Sequence, residues 1–340
     1  MSIKDLLREA QTENIIIPTI TQEIVRQSKL SSFRAEGFHP SEVAGKCPRL
    51  VVLNTILPRG MGIEWNPDPL LTRILNDGTA IHEWYQNRYL GPSGKLWGKW
   101  VCSRCKVIVD GFMPKDKCLC QSNTDYCKKH CYEYDNQEFY RNDNIVDSRG
   151  GCVWCGQNYT LGWGEWKYKE LTLYDEALNL IGSCDGLFFH KEDDTWWVLE
   201  IKTINRRGFK NLITPYDNHR AQSFLYWYMA RVVFPGMNIR GIRVLYVCKD
   251  GIESGGGGRF KEKEYELMWD AEAETVLNKV KTAAESLKNE SLPEAQIPCL
   301  PLSRKRKAQC GLVEICSKLE GIENSFNIAK SLTQHILKSL

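Results

Sequence analysis

The sequence has no apolar run of the ~18 residues that a membrane-spanning helix needs. Its opening stretch, MSIKDLLREAQTEN, is charged and amphipathic and lacks the apolar core of a secretion signal, so we expect an intracellular, cytoplasmic protein with no membrane partner. No GxxxxGK[ST] is present, and GGGG at 255–258 lacks the lysine that phosphate cradling needs, which argues against a built-in ATP motor. No internal repeat is visible. Net charge is nearly absent as well: 45 basic against 42 acidic residues leave +3, too balanced for composition alone to argue a nucleic-acid partner, so local patches must carry that argument. With 340 residues, 42% of them hydrophobic and 26% charged, the chain fits one large globular domain or two.

Cysteine is what the chain has in excess. Fourteen thiols in a reducing compartment are poor disulfide candidates, and their spacing points to metal. They fall into groups: Cys47 alone, eight between Cys102 and Cys155, Cys184 and Cys248 inside apolar runs, then Cys299, Cys310 and Cys316. CSRC and CVWC are two CxxC knuckles, Cys102/Cys105 and Cys152/Cys155, and paired knuckles are a strong zinc signature. Between them CLCQSNTDYCKKHC supplies Cys118, Cys120, Cys127, His130 and Cys131, from which four could make a second zinc site; a crossed pairing of the two groups stays open. The stretch is poor in aliphatic residues, so it reads as an insert that needs one or two zinc ions to fold. Its expected role is to bind DNA or steer a strand, with a protein-partner surface as the alternative.

Helical patterns run over residues 3–10 and 20–30. Another starts at about Ser41, and one covers PLLTRILNDGTAIHEWYQNRYLG with a break near Gly78. WKYKELTLY, NLIGSCDGLFFH and WWVLEIKTI read as strands of an antiparallel meander. NHRAQSFLYWYMARVVF is helical up to Pro235, IRGIRVLYVCKD and FKEKEYEL are strands, and AEAETVLNKVKTAAESLKN is an amphipathic helix. A further helix closes the chain.

WWVLEIKTI poses the functional question. Its alternation puts Trp196, Val198, Glu200 and Lys202 on one face. A buried charge costs several kcal/mol unless it is paired or metal-bound. Upstream, GSCDG places Asp185 in an apolar run, with fourteen residues between it and Glu200, a spacing that lets a hairpin bring the two together. Two close carboxylates repel unless a cation sits between them, and hard oxygen ligands suit Mg²⁺ or Mn²⁺. An amine beside that cation suits the orientation of a water, so the set reads as a phosphodiester hydrolysis site. Directly after this strand come Arg206, Arg207 and Lys210; Arg304, Lys305, Arg306 and Lys307 lie between Cys299 and Cys310. Both runs read as phosphate contacts.

GSCDG with LEIK resembles the core motif of the PD-(D/E)XK nuclease superfamily, with Asp185, Glu200 and Lys202 at its positions. DGTAIHEW resembles the upstream motif of the RecB-like branch, which implies His82 as a metal ligand. RAQSFLYWY resembles that branch's downstream motif, which implies that Gln222 and Tyr226 brace the site and touch DNA. The resemblance covers residues 38–95 and 160–320. It implies a restriction-endonuclease-like α/β (α+β) core, a central mixed sheet flanked by helices. His82, Asp185, Glu200 and the Ile201 carbonyl would hold Mg²⁺ or Mn²⁺, and Lys202 would position the attacking water.

RecB-like nucleases of the AddB type and the CRISPR-associated exonucleases also carry an iron–sulfur cluster, with one ligand before the core and three after it. Cys47, followed by Pro48 and Arg49, resembles the first ligand, and Cys310 and Cys316 in CGLVEIC resemble the last two. Cys299 departs from the pattern: ten residues separate it from Cys310 where the family has a tight CxxC, and Cys184 and Cys248 are weaker substitutes. Four thiolates fit a [4Fe–4S] cluster, though zinc would accept them too. Such a cluster would staple the two ends of the chain.

The expected layout is a helical segment at 1–100, the zinc insert at 101–158, the nuclease core at 159–290 and the terminal cysteine segment at 291–340. The expected function is a metal-dependent DNA exonuclease acting on ends or single strands in recombination, repair or phage replication, in a bacterial or phage-infected cell. A helicase, recombinase or polymerase would be its protein partner. The alternative is a non-catalytic zinc and iron–sulfur DNA-binding subunit of a replication or recombination complex.

Overall fold

The computed structural model describes residues 22, 37–57, 69–103, 106–121, 161–249, 262–294, 312, 316, 319 and 324–337. The helices expected at 3–10 and 20–30 lie outside these residues but for Gln22. In chain order the elements are α1 (Pro40–Val43), α2 (Pro48–Ile56) and α3 (Pro69–Trp84), which runs on into a π-helical segment, Tyr85–Leu90. Next are β1 (Leu96–Cys102), β2 (Ile108–Phe112), β3 (Cys118–Gln121), β4 (Leu161–Gly164), β5 (Trp166–Lys169), β6 (Leu171–Asp175), β7 (Leu180–Cys184), β8 (Gly186–His190) and β9 (Thr195–Ile204). Then come α4 (Arg206–Asn211), α5 (Asp217–Val233), β10 (Ile239–Cys248), β11 (Glu262–Leu267), α6 (Ala271–Lys288) and α7 (Ser325–Leu337). Among the described residues no helix is long and apolar enough to cross a membrane.

Local chemistry sets the boundaries. Pro40 and Pro48 open α1 and α2, where a missing N–H costs nothing. Asp270 caps α6 by accepting from the Ala273 N–H at 2.9 Å. α5 stops at Phe234, before Pro235. The helix expected from about Ser41 is two short ones, separated at 44–47, where Gly45 takes a positive φ of 72°. The expected break at Gly78 does not occur, and α3 is continuous to Trp84. A Cβ at Gly78 would lie 3.1 Å from Thr203 Oγ1, so this glycine lets the helix approach β9 and does not end it.

The chain divides into two compact units, Met1–His82 with Thr172–Cys184 and Thr195–Leu340, and Glu83–Leu171 with Asp185–Asp194. In the first, β9 and β10 are parallel, with Glu200 opposite Val244 and Lys202 opposite Tyr246, while β10 and β11 are antiparallel. The sheet is therefore mixed, and the chain crosses from β9 to β10 through α5, which packs on both strands. The parallel pairing explains why residues 197–201 are all buried where simple alternation would expose every second one. α6 packs on α5 and α2, and α1 packs on α5 and β7. Leu53, Leu57, Leu312, Leu319 and Ala329 form an apolar cluster that joins α2 to the C-terminal segment, with Cys316 against it.

In the second unit β1 is central. It pairs antiparallel with β2 along one edge, and with β8 and then β5 along the other. Its buried Trp100 meets Tyr168 edge-on at 5.0 Å. β3 and β4 form a separate antiparallel pair.

Gly182 in β7 sits where a Cβ would fall 2.8 Å from Pro40 Cδ and 2.9 Å from Tyr226 Cε1. Gly182→Ala is expected to cost about 1–3 kcal/mol by overpacking, read as a lower midpoint of chemical denaturation. An unchanged midpoint would mean that α1 and α5 separate at no cost.

Candidate active site

Glu200 and Lys202 share one face of β9, as their spacing requires, and they meet: Lys202 Nζ lies 2.5 Å from Glu200 Oε1, with the carboxylate 3% exposed. Lys202 also donates to Gln222 Oε1 at 3.0 Å. With its oxygen committed, Gln222 turns its amide nitrogen to Tyr226 and donates to the hydroxyl at 3.2 Å. Gln222 and Tyr226 are one turn apart on α5, so strand and helix are joined by a row of polar contacts running Glu200, Lys202, Gln222, Tyr226. Partners on both sides make the buried pair affordable.

Two further groups belong to this neighbourhood, and both escaped the sequence reading. Tyr246 lies opposite Lys202 in the β9–β10 register, and its hydroxyl lies 2.7 Å from His219 Nδ1, one turn before Gln222. Burial pushes the His219 pKa down to about 4, and the Lys202 charge adds to the shift. Burial likewise raises the Tyr246 hydroxyl to about 12, the Tyr216 backbone N–H pulling the other way and Glu200 adding to the rise. The only sequence signal was a histidine on the same helix as Gln222.

Asp185 occupies a one-residue break between β7 and β8, dividing a run expected to be one strand. Gly186 makes the break possible: its φ is +140°, and a Cβ there would lie 2.4 Å from the Tyr168 hydroxyl. Gln86, buried in the π-helical segment, donates to the Asp185 carbonyl at 3.0 Å and to its Oδ1 at 3.4 Å. π-helical turns recur at functional sites because they re-aim side chains. Glu170 occupies a second one-residue break, between β5 and β6. Glu170 and Asp185 bring two carboxylates of this unit within 4.8 Å of each other, a pair able to serve a metal ion; His82 lies in the other unit, one turn before Gln86 in the chain. Glu170 and Gln86 were not expected. Glu170 looked like one polar step in an alternating strand.

Ile201 is fully buried and opposite Leu245 in the register. Arg206, Arg207 and Lys210 are exposed on α4, which follows β9 directly. Cys47 is the N-cap of α2, its sulfur accepting from the Leu50 N–H at 3.4 Å. Arg49, two residues on, is buried and donates to the Pro293 carbonyl at 3.0 Å and to the Cys316 carbonyl at 3.5 Å. Cys184 and Cys248 are buried at the ends of β7 and β10. Of the expected zinc ligands, Cys102 ends β1, fully buried, and Cys118 begins β3. Cys105, Cys127, His130, Cys131, Cys152, Cys155, Cys299, Cys310, Arg304, Lys305, Arg306, Lys307 and the side chain of Cys120 lie outside the described residues.

No family model matches this chain, and no curated protein matches it in sequence. Among solved structures, one described as "Crystal structure of SSO0001" aligns over 89% of this chain and 96% of its own, at 12% identity and a TM-score of 0.38. A likeness that slight carries no argument about function.

Proposed function

We propose that this chain is a metal-dependent DNA nuclease of the RecB-like PD-(D/E)XK group, with a restriction-endonuclease-like core. The observation that carries the reading is the pair of buried Glu200 with Lys202, with Lys202 held from the other side by Gln222. A buried acid and amine on a strand cost stability, and a hydrolytic site is where that cost is returned as chemistry. Asp185, Glu200, His82 and the Ile201 carbonyl would hold Mg²⁺ or Mn²⁺, and Glu170 would add a carboxylate beside Asp185. A cation held there would supply charge against the phosphate and lower the pKa of a water. Lys202 orients that water, and Gln222 and Tyr226 keep the amine in place. Arg206, Arg207 and Lys210, together with Arg304, Lys305, Arg306 and Lys307, hold the strand by its phosphates. The substrate is DNA at ends or in single strands, and a helicase, recombinase or polymerase supplies it.

Cys47, Cys299, Cys310 and Cys316 are proposed to hold a [4Fe–4S] cluster with a structural role. Two contacts support this: Cys316 packs on the apolar cluster of the helix that Cys47 caps, and Arg49 ties that helix to the Cys316 backbone. The donor set fits as far as the described residues go: the Cys47 sulfur sits at a helix N-terminus, accepting from the Leu50 N–H. The cysteines of the insert are proposed to hold one or two zinc ions.

With end-labelled DNA in Mn²⁺, Lys202→Ala is expected to cut about 10²–10⁴-fold more slowly than wild type while binding DNA equally well. If wild type binds but does not cut, the chain is a DNA-binding subunit and not an enzyme. Anaerobically purified protein is expected to be brown and to contain iron, and Cys47→Ser is expected to lose the iron and melt at lower temperature. Colourless protein containing only zinc would rule out the cluster.

A further inference from the structure

The hydroxyl of Tyr246 is fully buried and accepts from the Tyr216 backbone N–H at 3.1 Å. Its single hydrogen needs an acceptor, because a buried donor without one is costly. Among the described residues only His219 Nδ1, at 2.7 Å, takes that place. Nδ1 is therefore the bare nitrogen of the ring, and the proton of the neutral imidazole sits on Nε2. Among the described residues no group is hydrogen-bonded to Nε2. Tyr216 and Tyr246 both pack against the ring, with centroids at 5.5 and 5.7 Å. The imidazole thus has fixed orientation, fixed tautomer and one donor to offer. It stands one turn from Gln222, which holds Lys202, and is bonded to Tyr246, which lies opposite Lys202 in the β9–β10 register.

We infer that His219 is a substrate-contacting residue, whose neutral Nε2–H donates to a phosphate oxygen of the strand being cut. The inference rests on the nuclease reading and deepens it. Neutrality is what the position requires: an imidazolium would repel the Lys202 amine, whereas a neutral N–H binds the phosphate without disturbing it. The depressed pKa of His219 agrees with this. Tyr246 is then a positioning residue, acting on the substrate only through the ring.

The test compares cleavage of end-labelled single-stranded DNA in Mn²⁺ by wild type, His219→Gln, His219→Leu and Tyr246→Phe. Loss of one hydrogen bond to a charged group predicts a fall of about 10–100-fold in kcat/KM for His219→Leu. His219→Gln, which keeps an N–H donor, is expected to stay within about threefold of wild type, with Tyr246→Phe in between. Equal cleavage by His219→Leu and wild type overturns the contact. Equal impairment of the Gln and Leu variants overturns it too, because it assigns the ring to packing. Nitrogen NMR of histidine-labelled wild type, in Ca²⁺ with a phosphorothioate-blocked oligonucleotide, gives a readout free of turnover and of variant folding. A protonated Nε2 whose resonance moves on adding DNA is expected; a protonated Nδ1, or an Nε2 that does not move, overturns the inference. A wild type that binds DNA and shows this shift but does not cut would overturn the nuclease reading and leave the contact standing.

Discussion

A buried carboxylate paired with a half-buried amine on one strand sets the terms for this part of the molecule. Glu200 lies in β9, whose residues 197–201 are all buried, so its carboxylate is shut off from bulk water and the half-buried Lys202 amine is its partner. The amine meets the carboxylate on its own strand and the Gln222 amide on α5. That requirement fixes the rotation of α5 about its axis, because Gln222 must face β9 and Tyr226 must follow one turn later. Tyr226 in turn packs where only a glycine fits, at Gly182 of β7, beside Pro40 of α1. One electrostatic need thus propagates through a helix to a glycine and a proline with no chemistry of their own. The parallel pairing of β9 with β10 belongs to the same logic, since α5 can cover the strand only if the chain crosses over it before returning.

The two carboxylates Asp185 and Glu170 are presented differently. Each sits at a single residue that interrupts a run of strand, between β7 and β8 and between β5 and β6. A residue in such a break is released from the alternation that would send its side chain to a predetermined face. The cost is local: Gly186 must adopt a φ closed to other residues, and Gln86 must satisfy the Asp185 carbonyl that the break takes out of the ladder. The π-helical turn that delivers Gln86 fits the same economy of placing polar atoms where regular structure would not put them.

What could be read from the sequence was whatever depends on short-range spacing. Glu200 and Lys202 are two apart and meet; Gln222 and Tyr226 are four apart and meet; α6 begins at its aspartate cap and α5 ends before its proline. What could not be read depends on contacts distant in the chain. Gly78 looks like a helix breaker until Thr203 appears against it, 125 residues on. Glu170 is exposed, as an alternating strand would have it, but the break in the strand at that residue leaves no local trace. The strand patterns of β9 and β10 carry no direction, and it is the helix between them that brings β10 alongside β9 in parallel. Gln86 and Asp185 lie 99 residues apart, and Tyr246 and His219 lie on different elements, so neither pair leaves a local trace.

The Cys47 segment shows how a short motif can carry several physical tasks at once. Cys47 caps α2, Pro48 starts it with a preset φ, and Arg49 extends from its first turn to the carbonyls of Pro293 and Cys316. A buried arginine is costly, and two carbonyls do not neutralise it, so the contact makes sense only if holding these two parts of the chain together matters. The apolar cluster of Leu53, Leu57, Leu312, Leu319 and Ala329 supplies the bulk attraction, but apolar packing is non-directional and would tolerate a slide along the helix. Hydrogen bonds from a planar guanidinium do not tolerate it. The arginine therefore sets the register in which Cys316 meets the helix that Cys47 caps, which is the condition that any shared metal group at these two sulfurs would impose.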